Sequence, residues 1–116
     1  MIDRIRLSAA AKSQLITLKR RTGIQHYNSL CRYAICLSLE TQSDLPDENL
    51  DFSGGLEIDW KVLAGDIGDV IINLALLNNK NLKFGENLVR DEVTKHIHRG
   101  LSLMISKSTS EIFDNS

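Results

Sequence analysis

The sequence predicts a single, mainly α-helical domain with two short β-strands. Apolar residues recur at helical spacing in four segments, at residues 9–22, 25–39, 66–78 and 86–104. Two shorter segments alternate apolar with polar residues, as half-buried strands do. The chain has 116 residues, of which 42% are hydrophobic, and this length and composition suit one domain with one core.

The chain opens with an alternating segment. Ile5 and Leu7 point to one side and Arg4 and Arg6 to the other, which predicts a short strand with one basic face.

The first helix is expected to begin after Ser8, whose hydroxyl suits an N-cap, and to end near Thr22. Gly23 then stands where a left-handed residue commonly closes a helix. Lys12 and Lys19 fall together on a solvated face. The predicted buried stripe is Ala11, Leu15 and Leu18.

A second helix is predicted over residues 25–39. Its apolar set is Tyr27, Leu30, Cys31, Ala34, Ile35 and Leu37. Residues 40–55 then break the pattern, because they contain five acids, no cation, the only proline (Pro46) and the pair Gly54-Gly55. We interpret this segment as an exposed acidic connection.

Residues 56–105 are predicted to form a strand and two further helices, followed by a polar tail over 106–116. The strand alternates, with Leu56, Ile58, Trp60 and Val62 inward. The apolar residues in period over 66–78 are Ile67, Val70, Ile71 and Leu74. The expected buried stripe over 86–104 is Val89, Val93, Ile97, Leu101 and Met104. Gly100 lies within that helix, and because glycine has no Cβ, its position there predicts a close crossing with another helix.

Positive charge is concentrated in the first third of the chain. Residues 1–39 contain seven Lys or Arg and one acid, a net charge of +6, whereas residues 40–116 have a net charge of −7. Cations near a helix C-terminus complement the helix dipole, but that accounts for only one or two of the seven. We therefore predict an anion-binding surface for nucleic acid. Its residues would be Arg4, Arg6, Lys12, Lys19, Arg20, Arg21 and Arg32.

The spacing of the cysteines and histidines in the sequence does not match that of a metal-binding or catalytic site. Cys31 and Cys36 diverge around one helix, so we expect buried hydrophobic roles for both rather than metal binding. His96 and His98 are two apart, whereas helical metal pairs need three or four. We predict no catalytic residue, no metal and no cofactor; an enzyme using Cys31 or His98 is the third-ranked alternative.

The sequence lacks the motifs that are typical of several other function classes. No phosphate-binding glycine loop, nucleophile elbow or dinucleotide fingerprint is present. The longest apolar stretch, residues 70–77, is far shorter than a bilayer span. With two cysteines and no sequence resembling a signal peptide, we expect a cytoplasmic protein.

The first 39 residues resemble a ribbon–helix–helix DNA-binding module. In that family two strands pair across a dimer and place their outward side chains in the major groove, which here would be Arg4 and Arg6. One departure is Gln25, where the family usually has Ser or a similar N-cap.

A closer resemblance, over nearly the whole chain, is to the DNA sulfur modification protein DndE family. The matching segments are Arg4-Ile5-Arg6-Leu7-Ser8, Leu18-Lys19-Arg20-Arg21-Thr22-Gly23-Ile24, Leu30-Cys31-Arg32-Tyr33-Ala34, Cys36-Leu37-Ser38-Leu39, Trp60-Lys61 and His96-Ile97-His98-Arg99-Gly100.

This resemblance implies a non-catalytic member of the bacterial DNA phosphorothioation machinery that binds duplex DNA, notably at nicks. It implies as partners a sulfurtransferase, an ATPase and further copies of the chain, which we expect to form a tetramer. The alternative function is a sequence-specific ribbon–helix–helix repressor, which would be a dimer with a large preference for one operator.

Overall fold

The computed structural model of the protein describes residues 2–41, 43–46, 49–79 and 85–107. In chain order the elements are β1 (Arg4–Leu7), α1 (Ala9–Thr22), α2 (Tyr27–Glu40), β2 (Leu56–Asp59), α3 (Trp60–Ala64), a 3₁₀ turn (Gly65–Ile67), α4 (Gly68–Asn78) and α5 (Glu86–Ser106). This confirms the mainly helical fold with two strands. Asp47 and Glu48 of the acidic connection, and the predicted polar tail from residue 108 onward, lie outside the described residues.

The two strands pair with each other in antiparallel orientation, in a register that runs from Arg4 opposite Asp59 to Leu7 opposite Leu56. The burial of β1 alternates as expected, since Ile5 and Leu7 are buried and the two arginines are exposed. A ribbon–helix–helix dimer would pair β1 with β1 of a second chain. Here the strand that pairs with β1 comes from the second half of the same chain.

Both ends of α1 are fixed by the predicted residues. Ser8 Oγ accepts a hydrogen bond from the backbone N–H of Ala11 at 3.1 Å. Gly23 follows the helix in the left-handed conformation, with φ of 75°, and its N–H bonds to the Lys19 carbonyl. The buried residues of α1 are Ala11, Leu15 and Leu18, as predicted.

The core lies mainly between α2 and α5. The predicted stripe of α5 is buried, and it packs with the buried residues of α2, which are Leu30, Cys31, Ala34, Ile35 and Ser38. Gly100 allows the two helices to cross closely, because a Cβ at this position would overlap the backbone of Ala34. The expected close crossing is thus confirmed.

The second strand is shorter than predicted. Trp60 begins α3 instead of continuing the alternation, because the Asp59 carboxylate caps this helix by accepting from the Lys61 N–H at 3.0 Å. Trp60 is buried as expected, but Val62 is 56% exposed, so its predicted inward position is wrong.

A helix is present within residues 66–78, but the apolar residues in period there do not mark its buried face. Ile71 is buried as expected, but Ile72 and Ala75 complete the inward face of α4. Three of the residues in period, Ile67, Val70 and Leu74, are exposed. The sequence of α4 is apolar around most of its circumference, so packing against α2 and α5, rather than periodicity, selects the buried side.

Candidate nucleic-acid interface

Three of the predicted cations, Lys12, Lys19 and Arg20, are exposed on α1 and lie within about 100° of one another around the helix; we define them as the α1 basic face. Lys12 and Lys19 are seven residues apart, so their directions differ by about 20°. None of the three forms an ion pair with a carboxylate in the described part of the chain. The Lys19 ammonium lies 5.6 Å from the centroid of the Tyr27 ring, an arrangement that leaves its charge uncompensated.

Arg21 points away from this surface. It follows Lys12 by nine residues, which is about 180° around the helix. Its Nη1 donates to the carbonyl oxygen of Ile105 at 3.0 Å, near the end of α5. This contact links the C-terminal ends of α1 and α5.

Arg32 is bound within the fold. Its half-buried guanidinium donates through Nη1 to the Leu63 carbonyl at 2.8 Å and through Nη2 to Ser29 Oγ at 3.2 Å. Because Leu63 belongs to α3, the side chain connects α2 to the turn that leads to α4. Two of its donors are therefore already used, and only part of the guanidinium remains for a ligand.

Arg4 and Arg6 lie on the outer face of β1 but differ in their contacts. Arg4 Nη1 is 2.7 Å from Glu57 Oε1, in an ion pair whose side chains are 67% and 45% exposed. This hydrogen bond is the main reason why the pKa of Arg4 is raised. Arg6 instead places its Cζ 5.3 Å from the centroid of the Phe52 ring, a cation–π contact.

The two arginines border an open groove of about 320 Å³ that also reaches α5. Its lining residues are Asp3, Arg4, Arg6, Phe52, Glu57, Arg90, Asp91 and Thr94. Three arginines are thus matched by three acids, and Arg90 is itself 3.3 Å from the Asp91 carboxylate. Charge alone does not make this groove an anion site. Arg90 was not predicted, because it lies in the acidic half of the sequence.

Both histidines of α5 have structural contacts. His98 Nε2 accepts from the Ser8 N–H at 3.1 Å, and its Nδ1 is 2.8 Å from the Thr94 carbonyl. Since a carbonyl only accepts, the proton is on Nδ1. His98 therefore holds the junction between β1 and α1, a role that its position in the sequence does not indicate.

His96 is fully buried and lies in a polar network. Its Nδ1 is 2.8 Å from Ser38 Oγ, which also accepts from Arg99 Nε at 2.8 Å. Arg99 continues to the carbonyl oxygens of Ser38, Ser43 and Asp44. Burial, followed by the charge of Arg99, lowers the pKa of His96 to about 4. The ring is therefore neutral at pH 7, and the network attaches the acidic connection to α2 and α5.

The two cysteines differ in their surroundings. Cys31 is buried, and burial raises the pKa of its thiol to about 12, which leaves almost no thiolate at neutral pH. Cys36 is exposed, so the prediction that both are buried is wrong for this residue. Within residues 2–107 as described, no group of three His, Cys, Asp or Glu side chains is placed to bind a metal ion. None of the described helices combines the length and apolar character needed to cross a bilayer.

Two solved structures share this fold. The crystal structure of DndE from Escherichia coli B7A, described as involved in DNA phosphorothioation modification, matches with a TM-score of 0.74 and 22% sequence identity, over 88% of this chain and 98% of that chain. A glycine-to-lysine mutant of DndE, described as involved in DNA phosphorothioation, matches with a TM-score of 0.71 and 20% identity, over 92% of this chain and 100% of that one. At sequence identities of 20% and 22%, these structural matches show that the fold is shared.

A search of curated proteins finds no match. A family model does match, over residues 4–111 and hence nearly the whole chain; it is described as DNA sulphur modification protein DndE. The chain therefore belongs to the DNA sulphur modification protein DndE family.

Proposed function

We propose that this protein is a non-catalytic, DNA-binding component of the DNA phosphorothioation system that grips the backbone of duplex DNA, with a preference for nicks. Family membership supports the assignment to DNA sulfur modification. The α1 basic face carries the DNA-binding part of the proposal, because its three cations are exposed on one regular helix and have no carboxylate partner among the described residues.

The geometry of α1 suits contacts to phosphates. Lys12 and Lys19 are separated by seven residues, which is about 10.5 Å along the helix axis. Three steps of B-DNA rise by about 10 Å. The two ammonium groups can therefore reach phosphates about three steps apart on one strand. Such contacts position a protein on DNA without reading its sequence, as a reaction at the backbone requires.

The other predicted cations contribute unequally. Arg6 has no carboxylate partner among the described residues and lies exposed on the outer face of β1. Arg4 is paired with Glu57, but the pair is exposed and costs little to open. Arg21 and Arg32 are bonded to backbone carbonyls, so we assign them smaller contributions to DNA binding.

The proposed partners follow from the family and from the charge distribution. We propose that the acidic second half of the chain, with its net charge of −7, faces a sulfurtransferase and an ATPase of the system in the cytoplasm. Copies of the chain assemble into a homo-oligomer, a tetramer. The repressor alternative is not carried further, because β1 pairs with β2 of its own chain.

Equilibrium binding to labelled duplexes tests this proposal. In fluorescence anisotropy at about 50 mM salt, the variant Lys19→Glu/Arg20→Glu should bind intact and nicked duplexes of several sequences at least about tenfold more weakly, because each reversal turns an attraction into a repulsion. A loss confined to one sequence would indicate base readout and contradict the proposal. Tighter binding of the wild-type protein to nicked than to intact duplex is expected; equal affinity would remove the preference for nicks.

Adjacent residues of α1 provide the matched control. Arg20→Glu and Arg21→Glu make the same change in charge one position apart, on different faces of the helix. Arg20→Glu is expected to weaken binding several times more than Arg21→Glu. Equal losses would mean that only the total charge matters and that the α1 basic face is not the contact surface.

A further inference from the structure

An open pocket of about 260 Å³ lies between the turn that joins α1 to α2 and the junction of β2 with α3. Its apolar and aromatic lining residues are Tyr27, Leu56, Ile58 and Val62, and Lys19 and His26 also line it. Val62 is 56% exposed, although its neighbours in the pocket are apolar. Exposed apolar surface that is gathered in a concave site is typical of a binding site.

Hydrogen bonds hold the two walls of the pocket together. The Asn28 side chain donates through Nδ2 to the Val62 carbonyl at 3.1 Å, which bonds the start of α2 to α3. The same amide accepts through Oδ1 from the Ser29 N–H at 3.1 Å, so both of its ends are fixed. Because the walls are held in place within the chain, little ordering of the protein opposes the binding of a ligand.

The charge at the pocket is positive. The Lys19 ammonium lies 5.6 Å from the centroid of the Tyr27 ring and has no carboxylate partner among the described residues. No acid lines the pocket in the part of the chain that the structure describes. The two acids of β2 are used elsewhere, since Glu57 pairs with Arg4 and Asp59 caps α3. The pocket therefore favours a ligand that carries carboxylates.

The start of α2 strengthens the preference that Lys19 creates. His26, at the N-cap position, forms no capping hydrogen bond through its side chain, and the first turn of the helix contains no acid. The positive end of the α2 dipole thus lies beside the pocket without an acid in its first turn. A carboxylate is favourable at such a place.

We propose that this pocket docks a segment of a partner protein in which carboxylates flank a large apolar side chain, leucine or phenylalanine. The apolar side chain packs against Leu56, Ile58 and Val62, and a flanking carboxylate pairs with Lys19. The volume suits this occupant, because it is below the roughly 300–1,000 Å³ of small-molecule sites, and a few buried side chains carry most of the affinity of a protein interface. A nucleic-acid backbone would meet Lys19 but leave the apolar lining uncovered.

This inference goes beyond the proposed function, and Lys19 connects the two. Lys19 belongs both to the pocket and to the α1 basic face, and one ammonium cannot fully serve a carboxylate and a DNA phosphate together. The partner segment and duplex DNA are therefore expected to weaken each other's binding. Only this competition rests on the proposed DNA binding.

Three synthetic peptides, added to the full chain, test the pocket. The first has Leu-Phe flanked by glutamates on both sides, the second has lysines in place of the glutamates, and the third has Ser-Ser in place of Leu-Phe. In fluorescence anisotropy the first should bind at least about tenfold more tightly than either control, because it alone offers both carboxylates and apolar side chains. In NMR spectra it should shift the amide signals of residues 25–28 and 56–62 most. The proposal is overturned if a control binds equally well or if the first peptide does not bind at about 1 mM.

Val62→Gln and Leu88→Gln form a matched pair of variants. Both replace an exposed apolar side chain, 56% and 51% exposed, and only Val62 lines the pocket. Val62→Gln should weaken binding of the first peptide about fivefold or more, because it removes apolar contact area. Leu88→Gln should bind like the wild type, and equal losses would reject the pocket as the site. Circular dichroism establishes that both variants are folded.

Further measurements on Val62→Gln separate this occupant from others. Its sedimentation mass should equal that of the wild type; a lower mass would mean that a second copy covers the pocket, and would reject the proposal. Its affinity for duplex DNA should also be unchanged, and a loss would mean that nucleic acid enters the pocket. Saturating amounts of the first peptide should displace duplex from the wild-type chain, and simultaneous binding would contradict the sharing of Lys19. Absence of duplex binding, with the peptide results as expected, would concern the proposed function alone.

Discussion

At the scale of single residues, His96 shows how burial alters a titratable group. The ring is fully buried, and Nε2 has no hydrogen-bond partner among the described residues, the Glu92 carboxylate being 4.0 Å away. Burial disfavours the charged form, and the nearby Arg99 disfavours it further, so the pKa falls to about 4. Its neighbours Ser38 and Arg99 were not predicted as a network, because they lie 61 residues apart in sequence.

The depressed pKa of His96 predicts a loss of stability in acid. The unfolded chain binds a proton at this residue below pH of about 6.5, whereas the folded chain does so only near pH 4, so the contribution is present above 6.5 and is lost as pH falls between these values. Urea unfolding should show about 2 kcal/mol less stability at pH 4.5 than at pH 7 from this residue. His96→Gln, which cannot titrate, should lose correspondingly less over the same interval. An identical pH dependence for both proteins would show that His96 titrates normally.

At the scale of secondary structure elements, prediction succeeded where the sequence marks both ends and one face. Ser8 and Gly23 mark the ends of α1, and its three buried residues recur at i, i+4 and i+7. The same reasoning failed for α3, because Asp59 continues an alternating pattern while its side chain caps a helix. Periodicity also does not give the orientation of α4, whose apolar residues extend around the helix. Val70, Leu74 and Leu77 of α4 stay exposed.

The crossing of α2 and α5 gives a prediction about stability. Gly100→Ala places a Cβ where the Ala34 backbone lies, so the helices must separate or shift. We expect a loss of about 3 kcal/mol or more in the free energy of unfolding. Gly85→Ala is the control, since the nearest atom to its Cβ would be a side-chain carbon of Leu88 at 3.8 Å, and it should cost about 1 kcal/mol or less. Similar losses for the two variants would mean that the crossing is not tightly packed.

At the scale of the whole molecule, the near-zero net charge of −1 conceals two halves of opposite sign. The count of seven cations in residues 1–39 was available from the sequence, but their distribution in space was not. Arg21 and Arg32 bind carbonyl oxygens of Ile105 and Leu63, which are 84 and 31 residues away in the chain. The fold determines which cations remain available to contact DNA, and it leaves Lys12, Lys19 and Arg20 exposed on α1.

The salt dependence of DNA binding tests the central claim most directly, because the slope of log affinity against log salt counts the phosphates that the cations neutralise. Replacing Lys12 and Lys19 by glutamine, in protein whose oligomeric state is unchanged, should make the slope for intact duplex less negative by about 0.9 per lost contact, or about 1.8 per bound chain. The same slope for Lys12→Gln/Lys19→Gln and wild type would contradict the account, since the α1 basic face would then not touch the DNA backbone.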